Sequence, residues 1–482
     1  MNSVRCAPGW IALLLAGAAL AGCAVGPNYQ RPGVATPPTF KEAQGWIPAN
    51  PADGLDKGAW WSLFNDPALD ELEAKVEVSN QNLAAAEAAY RQAHALVAED
   101  RAQLFPVVSL SGSATRNGRG RGGAVASGGA ASAAGTSNTF QVGADASWAP
   151  DLWGKIRRTV EGAHASAQAS AADVANARLT AQSELAADYI QLRLADADKA
   201  LLQETVSAYA RSLEVTTNRY KAGVAAKSDV LTAQTQLINA KTSLTDLDRQ
   251  RTQAEHAIAV LVGQPPVTFS IAPLADWSPA PPPTPLVAPS SLLQRRPDVA
   301  AAERSTAAAN AQIGVKIAAY FPDLSLSGSY GVSSAAVAHL FSSSATLWSL
   351  GADVSETVLD FGARKAGVAE ARAAYDQTVA QYRQTVLSAF QNVEDALAAA
   401  RVLQDEAALD TQSAASAAEN QQISMNEYKA GTVDYTTVAA AQATALNAKQ
   451  ALLNVQAERM TEAVDLIQAL GGGWSADDLK GK

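Results

Sequence analysis

Cysteine is nearly absent from this chain of 482 residues, which holds only Cys6 and Cys23. Two thiols make neither a disulfide framework nor a four-ligand zinc site. Histidine is as scarce, with four residues (His94, His164, His256 and His339) far apart and none in an HExxH pattern. Charged residues are 17% of the chain and apolar ones 48%, too little charge and too much apolar surface for a mostly disordered protein. Acidic residues outnumber basic ones by 47 to 37, so the basic face a nucleic-acid binder needs is missing. No nucleophile, base or metal-ligand set clusters in the sequence, which argues against an enzyme and implies no cofactor. Gly118, Gly120 and Gly123 satisfy GxGxxG, but no strand-turn-helix unit with a later acid surrounds them, so they do not mark a nucleotide site. With Arg116, Arg119 and Arg121 they read as an exposed loop.

Long apolar runs are missing too. The run from Ile11 to Leu20 falls short of the roughly 20 residues that a spanning helix needs. Preceded by Arg5 and followed by Leu20-Ala21-Gly22-Cys23, it reads as an export signal over 1–22. The tetrapeptide resembles the bacterial lipobox, in which the cysteine is acylated and becomes the mature N-terminus. Ala24, where an aspartate would favour retention, then implies sorting to the outer membrane, with Cys23 inserted in its lipid.

The rest of the chain repeats itself. Leu104-Phe105-Pro106-Val107-Val108-Ser109-Leu110-Ser111-Gly112-Ser113 returns as Tyr320-Phe321-Pro322-Asp323-Leu324-Ser325-Leu326-Ser327-Gly328-Ser329. Asp151-Leu152-Trp153-Gly154-Lys155 is echoed by Asp360-Phe361-Gly362-Ala363-Arg364, and Tyr220-Lys221-Ala222-Gly223 by Tyr428-Lys429-Ala430-Gly431. The echoes keep their order, so the chain reads as two copies of one unit. An N-terminal segment over 23–65 leads to the first copy at 66–263. A Pro-rich linker at 264–290 precedes the second copy at 291–470, and a tail at 471–482 follows.

Each copy carries two alternating runs. Val108, Leu110, Gly112 and Ala114 oppose Ser109, Ser111 and Ser113; Phe140, Val142, Ala144, Ala146 and Trp148 oppose Gln141, Gly143, Asp145 and Ser147. In the second copy Leu324, Leu326, Gly328 and Tyr330 oppose serines, and Trp348, Leu350, Ala352 and Val354 oppose Ser349, Gly351, Asp353 and Ser355. Period two with one apolar and one polar face predicts strands. About ten residues each, with aromatic ends at Phe105, Trp153, Tyr320, Phe321 and Phe361, they suit tilted transmembrane strands. Four strands cannot close, and an open edge is not tolerated in lipid. Two protomers would give about eight strands and no room for water; three would give about twelve and a wet lumen. A homotrimer follows.

The remaining segments have helical spacing. Residues 155–220 contain no proline and one glycine, and 363–429 match them in length; each predicts roughly 100 Å of helix. Shorter helices are expected at 67–104, 225–262, 291–319 and 434–470, with the short ones stacked end to end beside each long one. Ala233, Leu237, Ala240, Leu244, Leu247, Ala254, Ile258 and Leu261 form a three-four seam broken by Arg251. Ile156, Val160, Ala163, Ala167, Ser170, Val174 and Ala177 form a second. The last helix carries two stripes, one through Val438, Ala441, Ala445, Ala448, Leu452 and Val455 and one through Ala443, Leu446, Leu453, Met460, Val464 and Ile467. Arg295-Arg296-Pro297-Asp298 reads as a helix start. The fold class is therefore a mixed α and β membrane protein of two repeats, with a long α-helical coiled coil. The residues alone leave two functions open: a passive gated conduit, or a trimeric structural or adhesive surface lipoprotein with a helical stalk and no lumen.

The ordered set of motifs resembles the TolC-like outer-membrane efflux duct family, in its lipoprotein branch. The resemblance rests on Cys23-Ala24-Val25-Gly26-Pro27-Asn28-Tyr29, Trp60-Trp61-Ser62-Leu63-Phe64-Asn65-Asp66-Pro67, Arg295-Arg296-Pro297-Asp298, the paired Tyr-Lys-Ala-Gly turns and both Phe-Pro strand entries. It implies four strands per protomer in a trimeric twelve-stranded barrel, a periplasmic helical tunnel, a periplasmic adaptor protein and an inner-membrane pump. It implies that the turns at Lys221, Gly223, Lys429 and Gly431 are the tips on which the adaptor docks. It also implies that Asp229 and Tyr428 lie at the periplasmic gate. In the second copy Thr437 and Ala440 stand where relatives often carry acids, and Asp434 is displaced toward the turn. Asp229 and Asp434 are expected to face the constriction and disfavour anions.

Overall fold

The structure is a computed structural model that describes residues 24–43, 59–118, 136–282, 296–472 and 474. Cys23, the export signal and most of the Gly/Arg-rich loop after Gly118 lie outside the described residues. In chain order the main elements are α1 (Pro67–Ser79), α2 (Gln81–Ala102), β1 (Val107–Gly118), β2 (Thr136–Trp148), α3 (Lys155–Lys221) and α4 (Lys227–Leu261). The second half has α5 (Pro297–Ala318), β3 (Asp323–Ser334), β4 (Thr346–Ser355), α6 (Ala363–Ala430) and α7 (Tyr435–Ala469). Among the described residues no helix is long and apolar enough to cross a membrane.

The chain divides into two compact units, each built from both repeats. One comprises the described parts of Met1–Pro32, Arg91–Ala167 and Arg304–Ala380. Its sheet runs β1-β2-β3-β4, antiparallel throughout. The register aligns the two periodicities across all four strands. Leu110 pairs with Ala144, Ala144 with Tyr330 and Tyr330 with Trp348, all on the apolar face. Ser109 pairs with Asp145, Asp145 with Ser329 and Ser329 with Ser349, all on the polar face. A slip of one residue in any strand would mix the faces.

Both strand-to-helix corners use one device. Asp151 accepts the backbone N–H groups of Ile156 (3.1 Å) and Arg157 (2.8 Å) at the start of α3. Asp360 accepts those of Gly362 (2.9 Å) and Arg364 (3.1 Å) at the start of α6. Each acid satisfies donors that a helix start leaves unpaired and complements its positive end. The Arg364 guanidinium, followed by these backbone bonds, holds the Asp360 carboxyl down to about 2. The N-terminal segment is tied to the first corner. Val25 N–H donates to Trp153 O (3.0 Å), and buried Arg158 donates to Val25 O (3.2 Å), Gly26 O (3.2 Å) and Asn28 Oδ1 (2.8 Å). Gly26 has φ +97° and crosses Gly314 so closely that a Cβ on it would lie 2.5 Å from the Gly314 Cα. Trp153 stacks on Phe321 at 4.9 Å and donates its Nε1–H to Pro322 O (2.8 Å).

The other unit comprises the described parts of Gly33–Tyr90, Gln168–Glu303 and Gln381–Lys482. Its largest core gathers Trp60, Leu69, Leu72 and Val76 with Leu185, Leu192, Ile258, Val464 and Ile467. The expected helix over 67–104 is two helices here. Asn80 takes an extended conformation between α1 and α2, donates its Nδ2–H to Leu261 O (2.8 Å) and accepts from Leu83 N–H (3.0 Å). One buried amide thus ends α1, caps α2 and receives the end of α4. Arg296, the counterpart of Asn80 in the second repeat, donates to Ala469 O (3.0 Å) at the end of α7 and pairs with Asp298 (2.7 Å). The end-to-end meeting of short helices is therefore present in both repeats, and the Arg296-Pro297-Asp298 motif starts α5.

The seam on α4 is the buried face as expected, with Ala233, Ala240, Leu247, Ala254, Ile258 and Leu261 all buried. Its interruption has a partner: Arg251 donates to Asp196 (2.7 Å) and to Ile271 O (2.6 Å), and Asp196 also accepts from Arg193 and from Leu274 N–H. That network fastens the chain after α4 onto α3. The seam on α3 differs from expectation. Of that seam Ala167 is buried as expected, whereas Ile156, Val160, Ala163, Ser170, Val174 and Ala177 are half-buried, and the other buried positions run through Arg158, Gly162, Ala165, Ala169 and Ala172. Gly162 lies against α5 there: a Cβ on it would stand 3.5 Å from the Ala311 Cβ and 3.6 Å from Ala308 O, an ordinary packing distance between helices lined by small residues.

Candidate functional site

The sheet presents two chemically opposite faces. Its apolar face is uncovered: Leu110 and Leu350 are each 81% exposed, and Val108, Tyr330, Trp348 and Val354 are exposed as well. Exposed apolar patches of this extent mark a surface that meets lipid or another chain. Its polar face carries serine, glycine and glutamine, with Asp145, Asp323 and Asp353 its three acids within the paired registers. Ser111 donates to Asp145 (3.3 Å), and Ser329 and Ser349 share a hydrogen bond of 2.8 Å. Among the described residues β1 and β4 each have a single partner strand, so one edge of each is open.

The second feature is the pair of helix turns in the other unit. α3 ends at Lys221 and Gly223 follows with φ +77°; α6 ends at Ala430, just after Lys429, and Gly431 follows with φ +82°. Both turns are closed alike. Gly223 N–H donates to Tyr220 O and Val224 N–H to Arg219 O; Gly431 N–H donates to Tyr428 O and Thr432 N–H to Glu427 O. This is the left-handed C-terminal motif that glycine makes possible. Lys221, Gly223, Lys429 and Gly431 are all solvent-exposed.

The acids of the returning helices have defined partners. Asp229, in the first turn of α4, accepts from the Ala226 N–H (3.3 Å). Asp434, the N-cap of α7, accepts from Thr437 N–H (3.1 Å), Thr436 Oγ1 (2.6 Å) and Thr437 Oγ1 (3.1 Å). The Thr436 hydroxyl, then the Thr437 bonds, holds the Asp434 carboxyl below the usual carboxylate range. A capping box joins an N-cap acceptor to an acid three residues on. Here the first repeat keeps the later acid and the second keeps the N-cap. The displacement of Asp434 is thus an exchange of one half of a cap for the other.

Tyr428 is buried, unlike its repeat counterpart: it is 2% exposed and Tyr220 43%. Its ring meets Tyr435 edge to face at 5.5 Å, within a cluster with Ala233, Val438 and Ala439. Tyr435 OH donates to Gln236 Oε1 (3.0 Å), whose Nε2–H donates to Ala439 O (3.0 Å) and so joins α4 to α7. The structure brings Tyr428 together with the base of both turns, while Asp229 and Asp434 sit on separate helix starts. Sequence reasoning missed Arg219, which spans the two turns. A cation in the last turn of α3 was the available signal. Among the described residues no group of three or more His, Cys, Asp or Glu could hold a metal ion.

Comparison with known proteins matches these features. The outer membrane efflux protein family matches residues 73–264 and 288–472. The chain is 29% identical over 466 residues to the probable efflux pump outer membrane protein TtgC of Pseudomonas putida, covering 94% of this chain and 93% of that one. It is 29% identical over 467 residues to the pyoverdine export outer membrane protein OpmQ of Pseudomonas aeruginosa, covering 97% of each. The solved structure of the outer-membrane channel OprN superposes with a TM-score of 0.86 at 30% identity, covering 94% of this chain and all of that one. The four strands thus contribute to a trimeric twelve-stranded barrel in the outer membrane, with a helical tunnel on the periplasmic side. The chain belongs to the outer membrane efflux protein family and is the outer-membrane channel component of an efflux system.

Proposed function

We propose that this chain is the passive, gated conduit of a three-part export assembly and catalyses no reaction of its own. Cys23 carries the acyl anchor. The bonds that fasten Val25, Gly26 and Asn28 to the first strand-to-helix corner support this, because they hold Val25, two residues after Cys23, beside Trp153. A periplasmic adaptor docks on the exposed turns around Lys221, Gly223, Lys429 and Gly431, and an inner-membrane pump supplies the energy. Tyr428 braces the entrance from within the protomer, and Asp229 and Asp434 supply the negative charge that disfavours anions there.

The observation that carries this reading is the register of the sheet. It collects most apolar strand positions on one face and most serines on the other, with Val107, Leu347 and Ser334 the exceptions, and among the described residues both edges are open. A wall wet on one side and lipid-covered on the other, completed by further copies, is a conduit. The test is current through the purified protein in a planar bilayer, with reversal potentials in a salt gradient. Wild type passes a steady current with cation preference. The double variant Asp229→Asn, Asp434→Asn keeps an acceptor at each cap and loses that preference. Absence of current contradicts the conduit; unchanged selectivity contradicts the gate assignment of the two acids.

A further inference from the structure

Arg116 has no part in the account so far. It reads as a loop residue in the sequence, yet it belongs to β1, two residues before the end of the strand that runs away from α2 and the periplasmic side. By register it shares the outward face of Leu110, Gly112 and Ala114, not that of the serines. Val108 and Arg116 are eight residues apart, about 26 Å along a strand. With a tilt of about 40°, Arg116 stands about 20 Å above Val108, near the top of an apolar band about 25 Å tall. The face changes character at that level. Its last apolar positions are Ala114, Phe140, Val332 and Trp348; beyond them come Arg116, Asn138, Ser334 and Thr346. Arg116 lies directly opposite Asn138, and both are exposed.

Among the described residues no acid pairs with this cation. Residues 101–144 contain no Asp or Glu, and Arg119 and Arg121 add to the charge of that stretch. Residues 324–352, which span the second hairpin, contain no Asp, Glu, Lys or Arg. Asp145 is opposite Ser109, seven rows nearer the helices and on the other face. The anion that balances Arg116 therefore comes from outside the chain. A guanidinium presents planar paired donors that match a phosphate, and the Asn138 amide beside it donates to a phosphate or hydroxyl oxygen. The apolar face below is the one that meets lipid, so the phosphate is that of a lipid headgroup. The outer leaflet of a Gram-negative outer membrane is built from a phosphorylated glycolipid, lipid A, whose sugar phosphates lie where its acyl chains end. Tyr330 and Trp348, paired in register and exposed, supply interfacial rings at the same end of the sheet.

We propose that the outward face around Arg116 and Asn138 is a binding site for a lipid A phosphate, one site per protomer. The proposal goes beyond the conduit reading and shares with it only the outward placement of the apolar face. Native mass spectrometry of the full-length trimer in detergent, titrated with purified lipid A, tests it on wild type, Arg116→Lys and Arg116→Gln. Lipid A carrying both phosphates binds wild type, and its apparent affinity falls about fivefold in Arg116→Gln. Arg116→Lys, which keeps the charge without the planar fork, falls between. Lipid A stripped of its phosphates does not distinguish wild type from Arg116→Gln, and phosphatidylglycerol distinguishes them by less than about twofold. Equal binding of bisphosphorylated lipid A by wild type and Arg116→Gln overturns the proposal. So does a loss of phosphatidylglycerol as large as that of lipid A, which would make the face a site for any anionic lipid. The same preparation reports trimer mass and, in a planar bilayer, current. Failure of those two contradicts the conduit, whereas unchanged lipid A binding with both intact contradicts this proposal alone.

Discussion

Glu73 offers a quantitative test of the helical core. It lies on α1 with no solvent exposure, and neither carboxyl oxygen has a hydrogen-bond partner. Burial, and then the nearby acids Glu77 and Asp70, raise its pKa to about 9 from an ordinary 4.5. Glu77 is itself engaged, accepting from Gln182 (3.1 Å) and facing Arg178 (3.6 Å), so no cation is left over for Glu73. Between the two pKa values the folded protein holds a proton that the unfolded chain releases, so stability falls as pH rises from about 4.5 to about 9. Each unit of pH in that window is worth about 1.4 kcal/mol, which makes the penalty at neutral pH about 3 kcal/mol relative to mildly acid solution. Glu73→Leu removes both the titration and the orphaned oxygens at similar volume. Thermal unfolding of the detergent-purified protein, at fixed protein concentration from pH 5 to 8, measures the effect. Glu73→Leu is expected to be the more stable by about 2–3 kcal/mol at neutral pH, with the gap closing toward pH 5. A variant that is less stable at every pH, or that keeps the wild-type pH slope, refutes the reasoning.

Two further outcomes follow from the other unit. Gly331 in β3 faces Gly143, and a Cβ there would lie 2.7 Å from Val142 O and 2.9 Å from the Gly143 Cα. Gly331→Ala should force β2 and β3 apart and sharply reduce the yield of heat-resistant oligomer on gels, whereas Gly118→Ala, at the end of β1 with only a Thr136 methyl at 3.8 Å, should not. Cys23→Ser removes the acyl acceptor; metabolic labelling with radioactive palmitate should disappear while the protein still reaches the outer membrane through its strands.

What the sequence made legible follows from how much each signal depends on neighbours. The strands were readable to within a few residues because alternation is local and the two faces differ completely, as at Ser109-Leu110-Ser111. The long helices were readable because they contain no proline and one glycine each, Gly162 and Gly367, and glycine ends them. The break at Asn80 was not, because asparagine is no strong breaker; it interrupts the helix through the carbonyl of Leu261, which lies far away in the chain. The buried stripe of α3 was misjudged because alanine occurs on every face, so tertiary approach at Gly162 and Ala172 decides what the pattern cannot. At the turns, the glycines and acids were visible as motifs. The capping duties of Asp229 and Asp434 and the reach of Arg219 emerged only with the helix ends in place.

The central claim is that β1 of one protomer pairs with β4 of the next. Cysteine placed at Ser109, Ser111 or Ser113 in β1, together with one at Ser349 or Asp353 in β4, tests it by oxidation in intact outer membranes. These positions share the polar face, and within one protomer β1 and β4 are opposite edges of a four-stranded sheet. The account predicts that at least one pairing yields a covalent trimer on denaturing gels. A monomer locked by its own β1–β4 disulfide would contradict it.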